Sequence, residues 1–164
     1  MKLAFALTAA IVLVATSAGA QNFKTYGSAG DWEIAINENM GPGCVAIEKF
    51  VNPTSQVQLG IDATNSERTG YVAIYVEDAD GVEAGEEIPA RLELDGETFE
   101  GTFMGQRTDG MGGAFVPVNN PDFVMDLEKA DALTIEYGDG YKVVADLSDA
   151  DAALATLREC QDAQ

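Results

Sequence analysis

The sequence contains no histidine among its 164 residues. Without an imidazole, the chain cannot build Ser-His-Asp or Cys-His catalysis, the common zinc sites or a histidine-based pH switch. It has only two cysteines and no Cys-x-x-Cys pair, so a thiol metal site or redox motif lacks its ligands as well. We therefore expect a protein that is not an enzyme and that has no catalytic, cofactor-binding or metal-binding residues.

Positive charge is also scarce, because nine Lys and Arg residues stand against 28 Asp and Glu residues, for a formal net charge of -19. Such a charge repels the phosphates of nucleic acids and attracts cations and basic proteins. Nucleic acid is therefore excluded as a partner. Scattered solvating charge is favoured over a dedicated cation site as the explanation of the acidic residues.

The densest acidic run covers residues 78–87. Calcium takes six to eight oxygen ligands, so this run could in principle hold the ion. It lacks the third aspartate and the closing glutamate of an EF-hand, and a solvated loop between strands is the favoured interpretation. Carboxylate pairs such as Glu86 with Glu87, or Glu93 with Glu97, could serve a glycoside hydrolase, but 28 acidic residues make such pairs common by chance.

Long apolar runs are few, and the one that stands out lies at the N-terminus. Lys2 is followed by an apolar stretch over residues 3–14, and Ala18-Gly19-Ala20 offers small residues to a signal peptidase. This pattern predicts a signal peptide over residues 1–20 and a mature domain over residues 21–164. The apolar stretch is shorter than the roughly 20 residues that span a bilayer, so we expect a periplasmic or secreted protein with no membrane span after cleavage.

Strand signals dominate the mature chain. Apolar and polar residues alternate over residues 32–37 and 56–61, and residues 70–76 are apolar on both faces, as in a central strand. Asp95-Gly96 predicts a tight hairpin, and Gly138-Asp139-Gly140 predicts a second one. Eight or nine short strands with few helices predict a mainly β protein, an antiparallel β-sandwich that is Ig-like or barrel-like.

Three further segments are read from local patterns. A short helix is expected near residues 121–130, where Asn120 can act as the N-cap. A second helix is expected near residues 148–160, with Ser148 as its N-cap and Cys160 on its apolar stripe. The glycine-rich stretch 101–113 predicts a long flexible loop between strands.

Two cysteines in an exported chain permit one intramolecular disulfide, between Cys44 and Cys160. The bridge would close a loop of roughly 117 residues, for which the chain-entropy model gives about 5 kcal/mol as an upper figure. That free energy is comparable with the whole stability of a domain of this size. We therefore predict a structural bridge that fastens the terminal helix to the strand that begins near Cys44.

Four features of the sequence form a pattern. They are the signal peptide, the early Trp32, the Gly43-Cys44 pair at the start of a strand, and a strand over residues 142–147 that leads into an alanine-rich helix ending on Cys160. The chain resembles the small exported alphaproteobacterial proteins of the invasion-associated locus B type. The resemblance implies a periplasmic or surface β-sandwich without enzymatic activity, and it implies no functional residue. The chain departs from the family in lacking an additional cysteine pair.

Together these observations lead to a functional hypothesis. We expect a non-enzymatic exported β-sandwich protein that binds or stabilises another component of the cell envelope. The alternative is a calcium- or cation-dependent binding module that uses the acidic run 78–87. A carboxylate glycosidase is the third hypothesis, and it requires two carboxyl groups in a cleft beside exposed aromatic rings.

Overall fold

The computed structural model describes residues 22–51, 53–108, 110–119, 126–138 and 140–164. These residues form ten β-strands, two short 3-10 helices over Glu38–Met40 and Leu127–Lys129, and a C-terminal α-helix. The strands are β1 (Phe23–Ala29), β2 (Trp32–Asn37), β3 (Gly43–Val51), β4 (Thr54–Asp62), β5 (Thr69–Val76), β6 (Glu87–Leu94), β7 (Glu97–Thr108), β8 (Met111–Val118), β9 (Ala132–Tyr137) and β10 (Tyr141–Asp146). The helix is α1 (Ala150–Asp162).

The ten strands form one antiparallel sheet in the order β1-β2-β3-β4-β5-β8-β7-β6-β9-β10. The sheet is not closed into a barrel, so β1 and β10 are its two edge strands. It folds over on itself, because the Tyr137 hydroxyl of β9 donates a hydrogen bond to the Gly112 carbonyl of β8, which is not a neighbouring strand. The prediction of a mainly β, antiparallel, sandwich-like fold is therefore confirmed.

The two predicted hairpins join the strands that the sequence indicated. Leu94 lies opposite Glu97 across a two-residue turn, and both turn residues have positive φ, at 49° for Asp95 and 85° for Gly96. Positive φ at both positions is the signature of the type I′ turn. The second hairpin places Tyr137 opposite Tyr141 and joins β9 to β10.

The predicted flexible loop over residues 101–113 is wrong. Residues 101–108 belong to β7, and residues 111–118 form β8. Two glycines of this stretch make room for close packing, since a Cβ atom on Gly105 would collide with the carbonyl oxygen of Glu83, and one on Gly112 with that of Ala79. A glycine-rich stretch is also compatible with a strand, because a missing side chain makes room for another segment of backbone. Gly110, with φ at 84°, lies between β7 and β8.

The main core lies between the two halves of the folded sheet. It includes Trp32, which is 2% exposed, and it takes residues from strands at both ends of the sheet order. The central strand β5 is buried on both faces, because Val72 and Ile74 belong to the main core while Tyr71 and Tyr75 belong to a smaller buried cluster on the opposite face. The predicted central strand is thus confirmed.

Helix α1 packs against β1, β2 and β3. It begins at Ala150 with Asp149 as its N-cap, so the predicted cap at Ser148 is one residue early. The short helix predicted near residues 121–130 falls largely outside the described residues, and the described part is the 3-10 helix Leu127–Lys129. Leu127 is fully buried in the main core, where it helps to support α1.

Candidate functional site

Four charged side chains lie in one row across the outer face of the sheet, the face turned away from the main core. The strand registers place Glu100 of β7 opposite Arg91 of β6, Arg91 opposite Glu136 of β9, and Glu136 opposite Lys142 of β10. Each residue is exposed or partly exposed, and its sequence neighbours in β6, β9 and β10 point into the core. The row therefore presents alternating negative and positive charges on four adjacent strands.

A groove of about 600 Å³ lies over this row. It is lined by Pro89, Ala90, Arg91, Glu100, Gly101, Glu136, Tyr137, Gly138, Gly140 and Lys142. Gly138 and Gly140 line the groove beside the second hairpin, and the four charged residues of the row line it as well. The groove is thus a depression in the sheet surface that offers both signs of charge.

Three of the four charged side chains of the row, Arg91, Glu136 and Lys142, make ion pairs. The Lys142 Nζ atom lies 2.8 Å from Glu136 Oε1, and the hydrogen bond and positive charge of Lys142 lower the pKa of Glu136, with a smaller contribution from Arg91. Arg91 donates to the Thr98 hydroxyl at 3.3 Å and lies 3.8 Å from Glu93. Exposed ion pairs contribute at most about 1 kcal/mol each, so a ligand can exchange them for its own contacts at small cost.

A smaller pocket of about 180 Å³ adjoins the groove and shares Pro89 and Gly138 with it. Tyr141 lines this pocket, and its ring stacks on Tyr137 with the ring centroids 5.3 Å apart. Glu86 and Glu87 complete the acidic side of the pocket. The pocket therefore connects the charged row to an aromatic ring and to the end of the acidic run.

The acidic run 78–87 contacts an arginine of the same chain. Arg107 of β7 reaches into this loop, where Nη1 donates to the carbonyl oxygens of Ala79 at 3.2 Å and Val82 at 3.1 Å, and Nη2 lies 3.8 Å from Asp80. Within the described ranges, no group of three or more acidic, cysteine or histidine side chains could hold a metal ion. The positive charge that this loop contacts comes from the protein itself.

Glu93 and Glu97, one of the carboxylate pairs considered for glycoside hydrolysis, lie on opposite faces of the sheet. Glu93 is opposite Thr98 and makes its ion pair with Arg91 on the outer face. Glu97 is opposite Leu94, whose side chain packs against the main core. The two carboxylates therefore do not flank one cleft.

Cys44 and Cys160 are joined in a disulfide with their Cα atoms 6.1 Å apart, the pairing that the count of two cysteines predicts. Cys44 lies near the start of β3 and Cys160 near the end of α1, and both are completely buried. The bridge is thus part of the core and lies away from the groove.

The residues of the charged row were not singled out from the sequence, although part of the signal was present. The turn at Asp95-Gly96 fixes the register of its hairpin, which pairs Arg91 with Glu100, and the second hairpin in the same way pairs Glu136 with Lys142. Each hairpin thus carries one cross-strand pair of opposite charges. The pairing of β6 with β9 joins the two hairpins, and no local pattern indicates it.

None of the helices within the described part of the chain has the length and apolar character needed to cross a membrane. Comparisons of the chain with family models, with curated proteins and with solved structures find no match. The resemblance to the invasion-associated locus B type therefore stays a prediction.

Proposed function

We propose that this chain is an exported, non-enzymatic binding protein, and that its ligand surface is the groove over Arg91, Glu100, Glu136 and Lys142. Export to the periplasm or the exterior is supported by the signal-peptide pattern over residues 1–20 and by the disulfide, since disulfides persist in oxidising compartments. The ligand is another component of the cell envelope, because an exported protein meets such components where it works.

The observation that carries this proposal is the alternating row of charges under an open groove. Its volume of about 600 Å³ falls within the range of ligand sites, which is about 300–1,000 Å³. Glu136 has a lowered pKa and stays ionised at neutral pH, which suits a binding contact better than the role of a proton donor. The groove thus favours recognition of a charged ligand over acid-base chemistry.

The row also indicates the kind of ligand. A ligand segment with charges of only one sign would be repelled by the charged side chain on every second strand of the row. A polar segment that carries both signs can pair with Arg91 and Lys142 through its carboxylates and with Glu100 and Glu136 through its amines. We therefore expect a polypeptide partner with mixed charge at the contact surface.

Site-specific photo-cross-linking in intact cells tests the proposal. A photoreactive residue at Thr102, which lies opposite Pro89 on the outer face, should capture a partner, while the same residue at Glu67, an exposed loop position away from the groove, should not. Charge reversal by R91E together with K142E should reduce capture at Thr102 by about tenfold or more. Capture of no partner, or equal capture from Glu67, would show that the groove is not a binding surface.

A further inference from the structure

The edge strand β10 has one open side within the part of the chain that the structure describes. It pairs with β9 and is the last strand in the sheet order. The Leu147 N–H donates to the Asp131 carbonyl at 3.0 Å, which continues the hydrogen-bond ladder between β9 and β10. Because hydrogen-bonded pairs alternate along an antiparallel ladder, the odd-numbered residues of β10 direct their backbone groups toward β9. The backbone N–H and C=O groups of Lys142, Val144 and Asp146 therefore point toward the open edge.

The same three residues carry exposed side chains on the outer face. Val144 is 52% exposed, while its neighbours Val143 and Ala145 are buried in the main core. The pairing of β10 is regular along its whole length, whereas the opposite edge strand β1 has a register shift between Thr25 and Gly27. Bulges protect sheet edges from pairing with other chains, and β10 has none.

We propose that a second copy of this chain pairs with β10 in antiparallel orientation, about a twofold axis at Val144. In that register Lys142 of one copy lies opposite Asp146 of the other, and the reverse pair lies on the other side of the axis. Val144 meets its own counterpart, so the exposed apolar side chain is covered. The sequence Lys-Val-Val-Ala-Asp is thus complementary in charge to itself when it is read in opposite directions.

The backbone geometry supports the same register. An antiparallel pairing centred on Val144 brings together residues 142, 144 and 146 of each copy, which are the residues whose backbone groups point outward. Each such pair exchanges two hydrogen bonds, for about six in all. A shift of the register by one position would bring outward-pointing groups opposite inward-pointing ones and lose the pairing.

The contact is small, so the dimer is weak. One pair of five-residue strands buries less than the roughly 1,200 Å² of a stable interface, and we expect a dissociation constant on the order of 100 µM. The pairing joins two sheets into one continuous sheet and brings two grooves next to the twofold axis, because Lys142 lines each of them. The dimer is independent of the proposed ligand, and its test needs no ligand.

Sedimentation equilibrium of the purified, disulfide-bonded protein in about 0.15 M salt, where long-range repulsion is screened, tests the proposal. The variants K142D and D146K each place like charges opposite one another twice, and each should raise the dissociation constant about tenfold or more. An equimolar mixture of the two variants restores both opposite-charge pairs and should form heterodimers. The matched control K24D changes an exposed lysine of the other edge strand and should dimerise like the unaltered protein.

Proline at position 144 provides a second test. Its missing N–H faces the open edge, where proline is tolerated, so V144P should stay folded by far-ultraviolet circular dichroism and lose the dimer. A protein that remains monomeric up to about 1 mM would overturn the proposal, because that concentration is well above the expected dissociation constant. Dimerisation of K142D, D146K and V144P as strong as that of the unaltered protein would also overturn it.

Discussion

The side-chain Oε1 atom of Gln161 accepts a hydrogen bond from the backbone N–H of Cys44 at 3.0 Å, directly beside the disulfide between Cys44 and Cys160. Two consecutive residues of α1 thus hold the same residue of β3, one covalently and one through a hydrogen bond. Gln161 is itself buried, although it is polar. The end of α1 is therefore fixed to the sheet across 116 positions of sequence.

Removal of the disulfide should destabilise the protein strongly. The double variant C44A/C160A should lose about 2–5 kcal/mol of unfolding free energy, since its unfolded chain is no longer restricted by the long covalent loop. Urea denaturation measures this loss, and Q161A, which keeps the bridge and removes one hydrogen bond, should lose only about 1–2 kcal/mol. Two reactive thiols per chain in the unreduced protein would contradict the bridge.

The local elements of this fold could be predicted, and the long-range pairings could not. Asp95-Gly96 and the alternating strands have local causes, namely turn geometry and a side-chain period of two. That period does not say which strands are neighbours, so the pairing of β5 with β8 and of β6 with β9 remained unknown. The polar strand β1 has no apolar alternation and was missed, because it is an exposed edge that depends on β2 for its hydrogen bonds.

Gly105 and Gly101 provide a matched pair of substitutions in β7. A Cβ atom on Gly105 would meet the backbone oxygen of Glu83, while nothing lies within 4 Å of one on Gly101. We expect G105A to lose about 1–3 kcal/mol of unfolding free energy through overpacking, and G101A to stay within about 0.5 kcal/mol of the unaltered protein. Chemical denaturation of both variants measures the difference. Equal stability of the two would show that the glycines do not act through close packing.

Glu48 should make stability depend on pH near neutrality. Burial, with smaller effects from the charges of Asp146 and Asp31, raises the pKa of Glu48 to about 7, and its Oε2 atom is buried with no hydrogen-bond partner among the described residues. The folded protein therefore binds a proton between about pH 4.5 and 7 that the unfolded chain releases. The contribution of Glu48 to stability is thus full below pH 4.5 and is lost as the pH rises through 7.

The variant E48Q keeps the shape of this side chain and removes its titration. It should be more stable than the unaltered protein at about pH 8, by about 1 kcal/mol once screening of a partly exposed group is allowed for, and nearly equal at low pH. Urea denaturation of both proteins at a series of pH values measures how the free energy of unfolding of each one changes with pH. Parallel pH profiles for the two proteins would mean that Glu48 titrates normally in the fold.

Arg107 provides the decisive test of the calcium alternative. The guanidinium of Arg107 donates to the carbonyl oxygens of Ala79 and Val82. The variant R107M keeps the apolar stem and removes these hydrogen bonds, so its free energy of unfolding should be about 1–3 kcal/mol lower. If the loop instead bound calcium, the ion at a concentration 100 times its dissociation constant would raise the free energy of unfolding by about 2.7 kcal/mol. We expect millimolar calcium to leave the melting temperature unchanged relative to magnesium, the control ion. A rise that only calcium causes, and that R107M retains, would restore the cation-dependent module as the function of the acidic run.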